Sequence, residues 1–363
     1  MSVVVNLKIL KKEAIQLLIQ LINTPSISKK ENKVSILIED YLHQYGFDVK
    51  RKFNNIWTES SNYSKKENNR RTILLNSHHD TVKPGKNWIK NPFTAIKKDN
   101  KIIGLGSNDA GGSVVSLIST FIYLSSLYEL PYRLILSITA EEEISGSLGV
   151  RAILPELGSI DLGIVGEPTN MQVAIAEKGL LVLDCISEGK TGHSARDIGI
   201  NAIYIATKDI EHLKKFSFNR KSKFLGFTTL NVTQIQGGIQ HNIIPDFCSF
   251  VIDIRNNELY RNEELIEIIQ KEIRSKIKPR NSHLNSSFID PMHPIVIKAK
   301  SIGRNTYGSP TLSDQSIMPF PTIKMGVGDS VRSHTPNEYV FISEIMEGID
   351  IYIGLLKDFN FGI

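Results

Sequence analysis

Cysteine is scarce in this chain of 363 residues: Cys185 and Cys248 are the only two, far apart and each inside an apolar alternating run. They read as small core residues of a reducing compartment, which excludes a disulfide framework. Long apolar runs are missing too. The most apolar stretch, Val114 to Leu130, is interrupted by several Ser, carries Tyr and Glu, and stops at Pro131, so a buried helix is expected there and not a membrane span. Neither Gly nor Pro is in excess, and fibrous and disordered classes drop out. Met1 to Ile22 sets Lys8, Lys11 and Lys12 among its apolar residues and offers no small-residue cleavage site, the pattern of an amphipathic helix rather than a signal peptide. A cytoplasmic protein with no membrane partner is the expectation.

Charge of one sign is not concentrated. The net charge of +5 comes from pairs such as Lys65 with Lys66 and Arg70 with Arg71, scattered between acids and without an interleaved aromatic series. Such pairs read as a solvated face, and no nucleic-acid partner is expected. The length suits two domains, each with its own core.

Apolar residues recur with helical spacing twice between Leu7 and Gly46, around a break at Thr24, Pro25 and Ser26 that suits a helix end and a new N-cap. Three later segments turn abruptly from apolar to polar: Thr72 to Asp80, Arg133 to Glu143, and Asp161 to Pro168. Such runs are strands buried on both faces, as in a sheet covered by helices. Ligand crevices of open α/β sheets lie beyond the carboxyl ends of the strands, and each run carries its His or Glu at that end. From Lys178 to Phe288 the pattern reads strand (179–188), helix (201–216), strand (228–236), strand (246–255), helix (262–277) and strand (282–288), the βαββαβ order of a ferredoxin-like unit. The expected fold class is α/β. A catalytic domain of residues 1–177 and 289–363, with a central mostly parallel sheet between helices, is interrupted by a ferredoxin-like domain of residues 178–288.

In the first run, the two-residue period of an extended chain sets His78 and Asp80 on one side and His79 on the other. A carboxylate so placed can accept the ring N–H of His78 and fix the tautomer that a metal-binding histidine needs. Asp109 lies in a glycine-rich stretch, Gly104 to Gly112, ahead of the apolar helix. The glycine spacing is not the dinucleotide fingerprint, and alone the stretch is a turn with an Asx cap. Glu141, Glu142 and Glu143 at a strand end are ordinarily three solvated charges, but a site needing one carboxylate on a metal and a neighbour free to take a proton explains their adjacency. Glu167 stands between Gly166 and Pro168, and His334 comes from the far end of the chain. Together His78, Asp109, Glu143, Glu167 and His334 are what two adjacent divalent ions need, with Glu142 to spare.

The order of these motifs resembles the M20 family of co-catalytic zinc hydrolases. It runs His-x-Asp from His78, Gly-x-Gly-x-x-Asp ending at Asp109, Glu142 with Glu143, Gly-Glu-Pro-Thr around Glu167, Gly-His-Ser-Ala around His193, Asn-x-Ile-Pro-Asp from Asn242, and Ser-His-Thr-Pro-Asn-Glu around His334. The match spans about Asn76 to Glu338. Within the family, the phrases at 80–84, 106–112, 176–179 and 311–315 look most like acetylornithine deacetylases. The resemblance implies a zinc aminopeptidase-like catalytic fold and a metal-dependent amidohydrolase that converts N-acetylornithine to ornithine and acetate in arginine biosynthesis. It implies two zinc ions, and such mixed ligands also accept Co²⁺ or Mn²⁺. His78 and Glu167 would bind one ion and Glu143 and His334 the other, with Asp109 between them. Asp80 would orient His78, and Glu142 would be the general base that takes a proton from water and hands it to the leaving amine.

By the same resemblance His193, Asn242 and Arg255 contact the substrate, a small acylated amino acid, with Arg255 as the bidentate partner of its carboxylate. Asp314 is the candidate partner for a cationic substrate side chain. Ser77 and Glu141 stand where the family usually has Gly and Asp, and neither is a ligand position. The inserted domain would serve dimerisation and act as a lid, giving a homodimer. Alternatives with the same metal residues are deacylases of acetylcitrulline, acetyllysine or a succinylated analogue, and M20 carboxypeptidases or dipeptidases. A non-catalytic binding protein would ordinarily have lost Glu142 or a ligand.

Overall fold

The computed structural model describes residues 5–62, 71–127, 129–196 and 198–362; Lys65, Lys66, Arg70 and the first four residues of the expected N-terminal helix lie outside the described residues. The chain divides into two compact units, one of residues 1–175, 289–307 and 313–363, the other of residues 176–288 and 308–312.

In the first unit, Asn6 starts helix α1 (Leu7–Asn23) by accepting the N–H groups of Lys8 and Ile9 on its side chain. Leu10, Ala14, Leu17, Leu18 and Leu21 form its buried stripe. Helix α2 (Asn32–Gln44) begins later than a cap at Ser26 would suggest, because the chain first runs beside Thr81. There Ser26 O accepts from Thr81 N, and Ser28 N donates to Thr81 O. A hairpin of β1 (Lys50–Lys52) and β2 (Asn55–Glu59) follows, then β3 (Thr72–His78), helix α3 (Gly112–Ser125), β4 (Arg133–Thr139), helix α4 (Val150–Leu157), β5 (Leu162–Val165) and β6 (Val173–Glu177). Every residue of β3 and β5 is buried. Val150, Ile153 and Leu157 of α4 bury against Leu74, Ile135 and Val165, while α3 packs on β3 and α1.

The second unit holds β7 (Leu181–Glu188), helix α5 (Ala202–Lys215), β8 (Thr229–Gly237), β9 (Phe247–Arg255), helix α6 (Asn262–Glu272) and β10 (Lys276–Pro279). Its sheet runs β8-β9-β7-β10 with every neighbour antiparallel, the ferredoxin-like arrangement. Cys185 and Cys248 are free thiols in its core. Two boundaries differ from those expected: α6 stops at Glu272 instead of 277, and the closing strand lies at 276–279, with only Ser287 and Phe288 forming a strand in the span 282–288. The cause is Asp209, a buried acid on α5. Its carboxylate accepts the N–H groups of Arg274 and Ser275 and the Ser275 hydroxyl, which turns the chain out of the helix and aims it along β7.

The chain then forms helix α7 (Pro294–Ser301), strand β11 (Thr322–Lys324) and helix α8 (Ile342–Leu356), which packs on α3. With β11 in place, the first unit's sheet reads β1-β2-β4-β3-β5-β11-β6. The four inner strands are parallel and the joins toward the edges antiparallel. Register sets His78 opposite Thr139 and Asn76 opposite Val165. The loops leaving β3, β4 and β5 therefore emerge side by side from one sheet edge.

Candidate metal centre and active site

His78 ends β3 at that edge, the loops after β4 and β5 carry the Glu141–Glu143 run and Glu167, and a fourth and fifth segment bring Asp109 and His334 to them. His78 Nε2 lies 3.2 Å from Asp109 Oδ1 and 3.5 Å from Glu167 Oε1. His334 Nε2 lies 2.9 Å from Glu143 Oε2 and 3.7 Å from Asp109 Oδ2. Two groups result, His78 with Asp109 and Glu167, and Asp109 with Glu143 and His334, each with ligand atoms within 4.8 Å of one another. Asp109 belongs to both and turns one oxygen toward each histidine. The ring of His79 faces away, with Nε2 2.9 Å from Asn54 O.

The acidic triplet separates into three environments. Glu141 has a left-handed backbone (φ 57°) and its carboxylate accepts from Leu148 N, folding back onto its own loop. Glu142 and Glu143 form a single 3-10 turn. Glu142 Oε2 stands 4.0 Å from His78 Nε2, and Glu143 meets His334. Asp80 pins this turn from below: its Oδ1 accepts Glu142 N at 3.0 Å, and its Oδ2 accepts Glu143 N at 3.3 Å and the Ser28 hydroxyl at 2.7 Å. The nearer partner of His78 Nδ1 is the main-chain oxygen of Asp80, at 3.0 Å, with Oδ1 at 3.5 Å. Asp80 thus fixes the imidazole through its backbone and the two glutamates through its side chain.

Burial pushes the Glu167 carboxyl up to about 8, with Asp109 adding and His78 and Lys324 opposing. Burial likewise raises Glu142 well above the carboxylate range, and Glu143 to a lesser degree. Burial works against protonation of His78, but Glu167, Asp109 and Asp80 outweigh it and hold the ring well above its usual value. The hydrogen bond to Glu143 lifts His334 to about 9. Four carboxylates converging on two imidazoles call for additional positive charge. Oε1 of Glu167 is shielded from solvent and has no hydrogen-bond partner, which a cation would supply. His78, Asp109, Glu143, Glu167 and His334 therefore fit a pair of divalent ions.

His193, Asn242 and Arg255 belong to the second unit. There the strand pair of residues 192–193 and 243–244 sets His193 opposite Ile243, next to Asn242, and Asn242 O accepts Ser194 N. The Arg255 fork is held bidentately by Asp253, with bonds of 2.8 and 3.0 Å. Asp314 is buried, and its Oδ2 accepts from Asn76 Nδ2 and Thr139 Oγ1. It braces β3 and β4, so its expected part as an open partner for a substrate cation is not what the structure shows. Two residues near the site had no expected role: Lys324, buried in β11 near Glu167, and Glu338, whose carboxylate gathers the loop that carries Asp109. Among the described residues no helix is long and apolar enough to cross a membrane.

Comparison with known proteins is consistent with this geometry. Residues 175–281 match the model of the M20 peptidase dimerisation domain. An acetylornithine deacetylase of Buchnera aphidicola subsp. Schizaphis graminum is 30% identical, over 79% of this chain and 80% of the relative. A succinyl-diaminopimelate desuccinylase of Wigglesworthia glossinidia brevipalpis is 31% identical, over 69% of this chain and 71% of the relative. The fold is that of an M20 family metallo-carboxypeptidase of Sulfolobus solfataricus, with a TM-score of 0.73 at 18% identity over 95% of this chain and 98% of the other. With relatives of this identity along most of its length, the chain belongs to the M20 peptidase family of metal-dependent hydrolases.

Proposed function

We propose that the protein is an N-acyl amino acid deacylase that hydrolyses N-acetylornithine to ornithine and acetate, with two zinc ions held by His78 and Glu167, by Glu143 and His334, and by Asp109 between them. Cobalt and manganese would substitute, since imidazole and carboxylate accept all three. The observation that carries this reading is Asp109, which presents Oδ1 to His78 and Oδ2 to His334, the arrangement of a shared ligand. Ions held by these residues would supply Lewis acidity toward the amide carbonyl and the attacking water.

Glu142 is the acid of the cluster outside both ligand groups. It accepts a proton from the water whose oxygen bonds to the carbonyl carbon, and delivers that proton to the amide nitrogen as the C–N bond breaks, so that acetate and a free amine leave. The raised proton affinity that burial gives it suits a group that must take a proton and return it, and the positive charge of bound ions would moderate that rise. Asp80 keeps Glu142 in reach by holding its main-chain N–H. In the second unit His193 would help hold the developing oxyanion and Arg255 the substrate carboxylate. Asn242 would contribute Oδ1, which is shielded and lacks a partner. That unit would also pair two copies into a homodimer, as the name of the matched domain suggests. The reaction would serve arginine biosynthesis in the cytoplasm.

A succinylated substrate is the second reading, favoured by the desuccinylase relative at 31% identity. A panel on metal-loaded protein decides between them: acetyl against succinyl groups, each on ornithine and on citrulline, with dipeptides alongside. Acetylornithine should give the highest kcat/KM. Faster turnover of a succinyl compound would move the assignment to the second reading, and faster turnover of dipeptides would overturn both.

A further inference from the structure

Glu338 is 2% exposed and has no place in either ligand group. Its Oε1 accepts Asn108 N at 2.8 Å and Asp109 N at 2.9 Å, and its Oε2 accepts Gly106 N at 3.2 Å. Its main-chain oxygen takes a fourth N–H, that of Gly104. A buried carboxylate is costly unless fully hydrogen-bonded, and here the loop of residues 104–109 supplies that compensation with its own backbone. Residues 107–111 form one irregular π-type turn in which Asp109 and Ala110 leave helical φ/ψ, so the carboxylate supplies the N–H partners that a regular helix would provide. Glu338 also follows His334 by four residues. The segment just before His334 is tied to the same loop by Asn108, whose Oδ1 accepts Asp329 N and whose Nδ2 donates to Asp329 O and Ser333 Oγ.

We propose that Glu338 is a positioning residue for the ion pair: by clamping the N–H groups beside Asp109 within the segment that delivers His334, it makes Asp109 present one oxygen to each half of the cluster. This rests on the reading of the cluster as a two-ion site. The two halves depend on the clamp unequally. His78 and Glu167 are fixed by strands without it, whereas the Glu143 and His334 half takes both Asp109 and His334 from clamped segments. Loss of the clamp therefore weakens the second ion first.

Glu338→Gln is the informative change, because the amide keeps shape and volume but replaces one acceptor oxygen with a donor that faces an N–H. Co²⁺ titration of apo wild type and of E338Q, followed by visible absorption and by chelator competition, reads the two equivalents separately. Wild type should take up two. E338Q should keep the first within a few-fold and bind the second about 10- to 100-fold more weakly, the range typical for loss of an outer-shell partner. The absorption of the second equivalent should change as well. Thermal unfolding of both apo proteins, followed by circular dichroism, controls for the fold. Two equivalents at wild-type affinity and spectrum in E338Q would overturn the proposal, and a lowered melting temperature alongside them would mark Glu338 as merely structural. Fewer than two equivalents in wild type would instead overturn the two-ion reading itself.

Discussion

His78 ends and Glu167 follows neighbouring parallel strands, β3 and β5, whose every residue is buried, and the His78 side chain is 1% exposed. Glu143 and His334 occupy a single 3-10 turn and a loop in which His334 has a left-handed backbone (φ 59°), and the His334 side chain is 54% exposed. One half of the ligand cluster is thus a product of the sheet, the other of loops held by buried carboxylates. Asp80 grips the Glu142 and Glu143 turn, Glu338 grips the Asp109 loop, and Arg332, paired with Glu344 at 2.8 and 3.0 Å, anchors the approach to His334. Ligands placed by a hydrogen-bonded sheet are pre-organised, and those on loops lose more freedom on binding. The buried half should therefore bind its ion more tightly, and the exposed half should exchange its ion and face the substrate.

Substitutions at the two histidines test that difference most severely. His78→Ala should abolish tight binding in the buried half and cut turnover by roughly 10³-fold or more, since the proposed mechanism calls on both ions. His334→Ala should spare the first equivalent and weaken the second by about 100-fold. Equal loss at both equivalents in the two variants, followed by isothermal titration, would erase the distinction between the halves.

A pH effect of moderate size comes next. In the absence of ions, burial leaves Glu167 titrating at about 8 and Glu143 above its usual range, while the bond to Glu143 leaves His334 protonated up to about 9. These groups bind ions only in their deprotonated forms, so ion binding at neutral pH must expel protons. Affinity should rise with pH up to about 9 and fall steadily below it. Titration in two buffers of different ionisation enthalpy counts the protons, and absence of release at pH 7 would contradict the raised values. The smallest effect at the site should come from Asp209→Ala in the second unit. Loss of its bonds to the 274–275 turn should cost on the order of 2–4 kcal/mol in urea unfolding, with both ion affinities unchanged.

Much of this was legible in the sequence where chemistry coincided with a change of pattern. His78, Glu143 and Glu167 each follow an apolar run that becomes a buried parallel strand, so the strand's direction brought the three side chains to one edge. Asp109 had no such local signal, and His334 entered through the order of motifs. What stayed hidden were bonds from side chain to distant backbone. The donors to Glu338 lie some 230 positions earlier and those to Asp209 65 positions later, and an N–H group leaves no mark in residue type. The misplaced final strand of the second unit has that origin. Lys324 did leave a sign, a lone Lys in an apolar strand, and its burial near Glu167 shows what such an exception is worth. Asp314 misled for the opposite reason: an acid in a suggestive motif proved to brace two strands.

Glu142 is the direct test of the hydrolytic site. In the proposed centre its neighbours are the ligands and its carboxylate is the one left to move a proton, while its main chain is held by Asp80. Metal content and acetylornithine turnover should be measured together on Glu142→Ala. Two ions retained, with kcat lower by roughly 10²- to 10⁴-fold, is the predicted result. A variant that keeps its turnover, or that loses both ions with it, would contradict the assignment of Glu142 as the base of a two-ion centre.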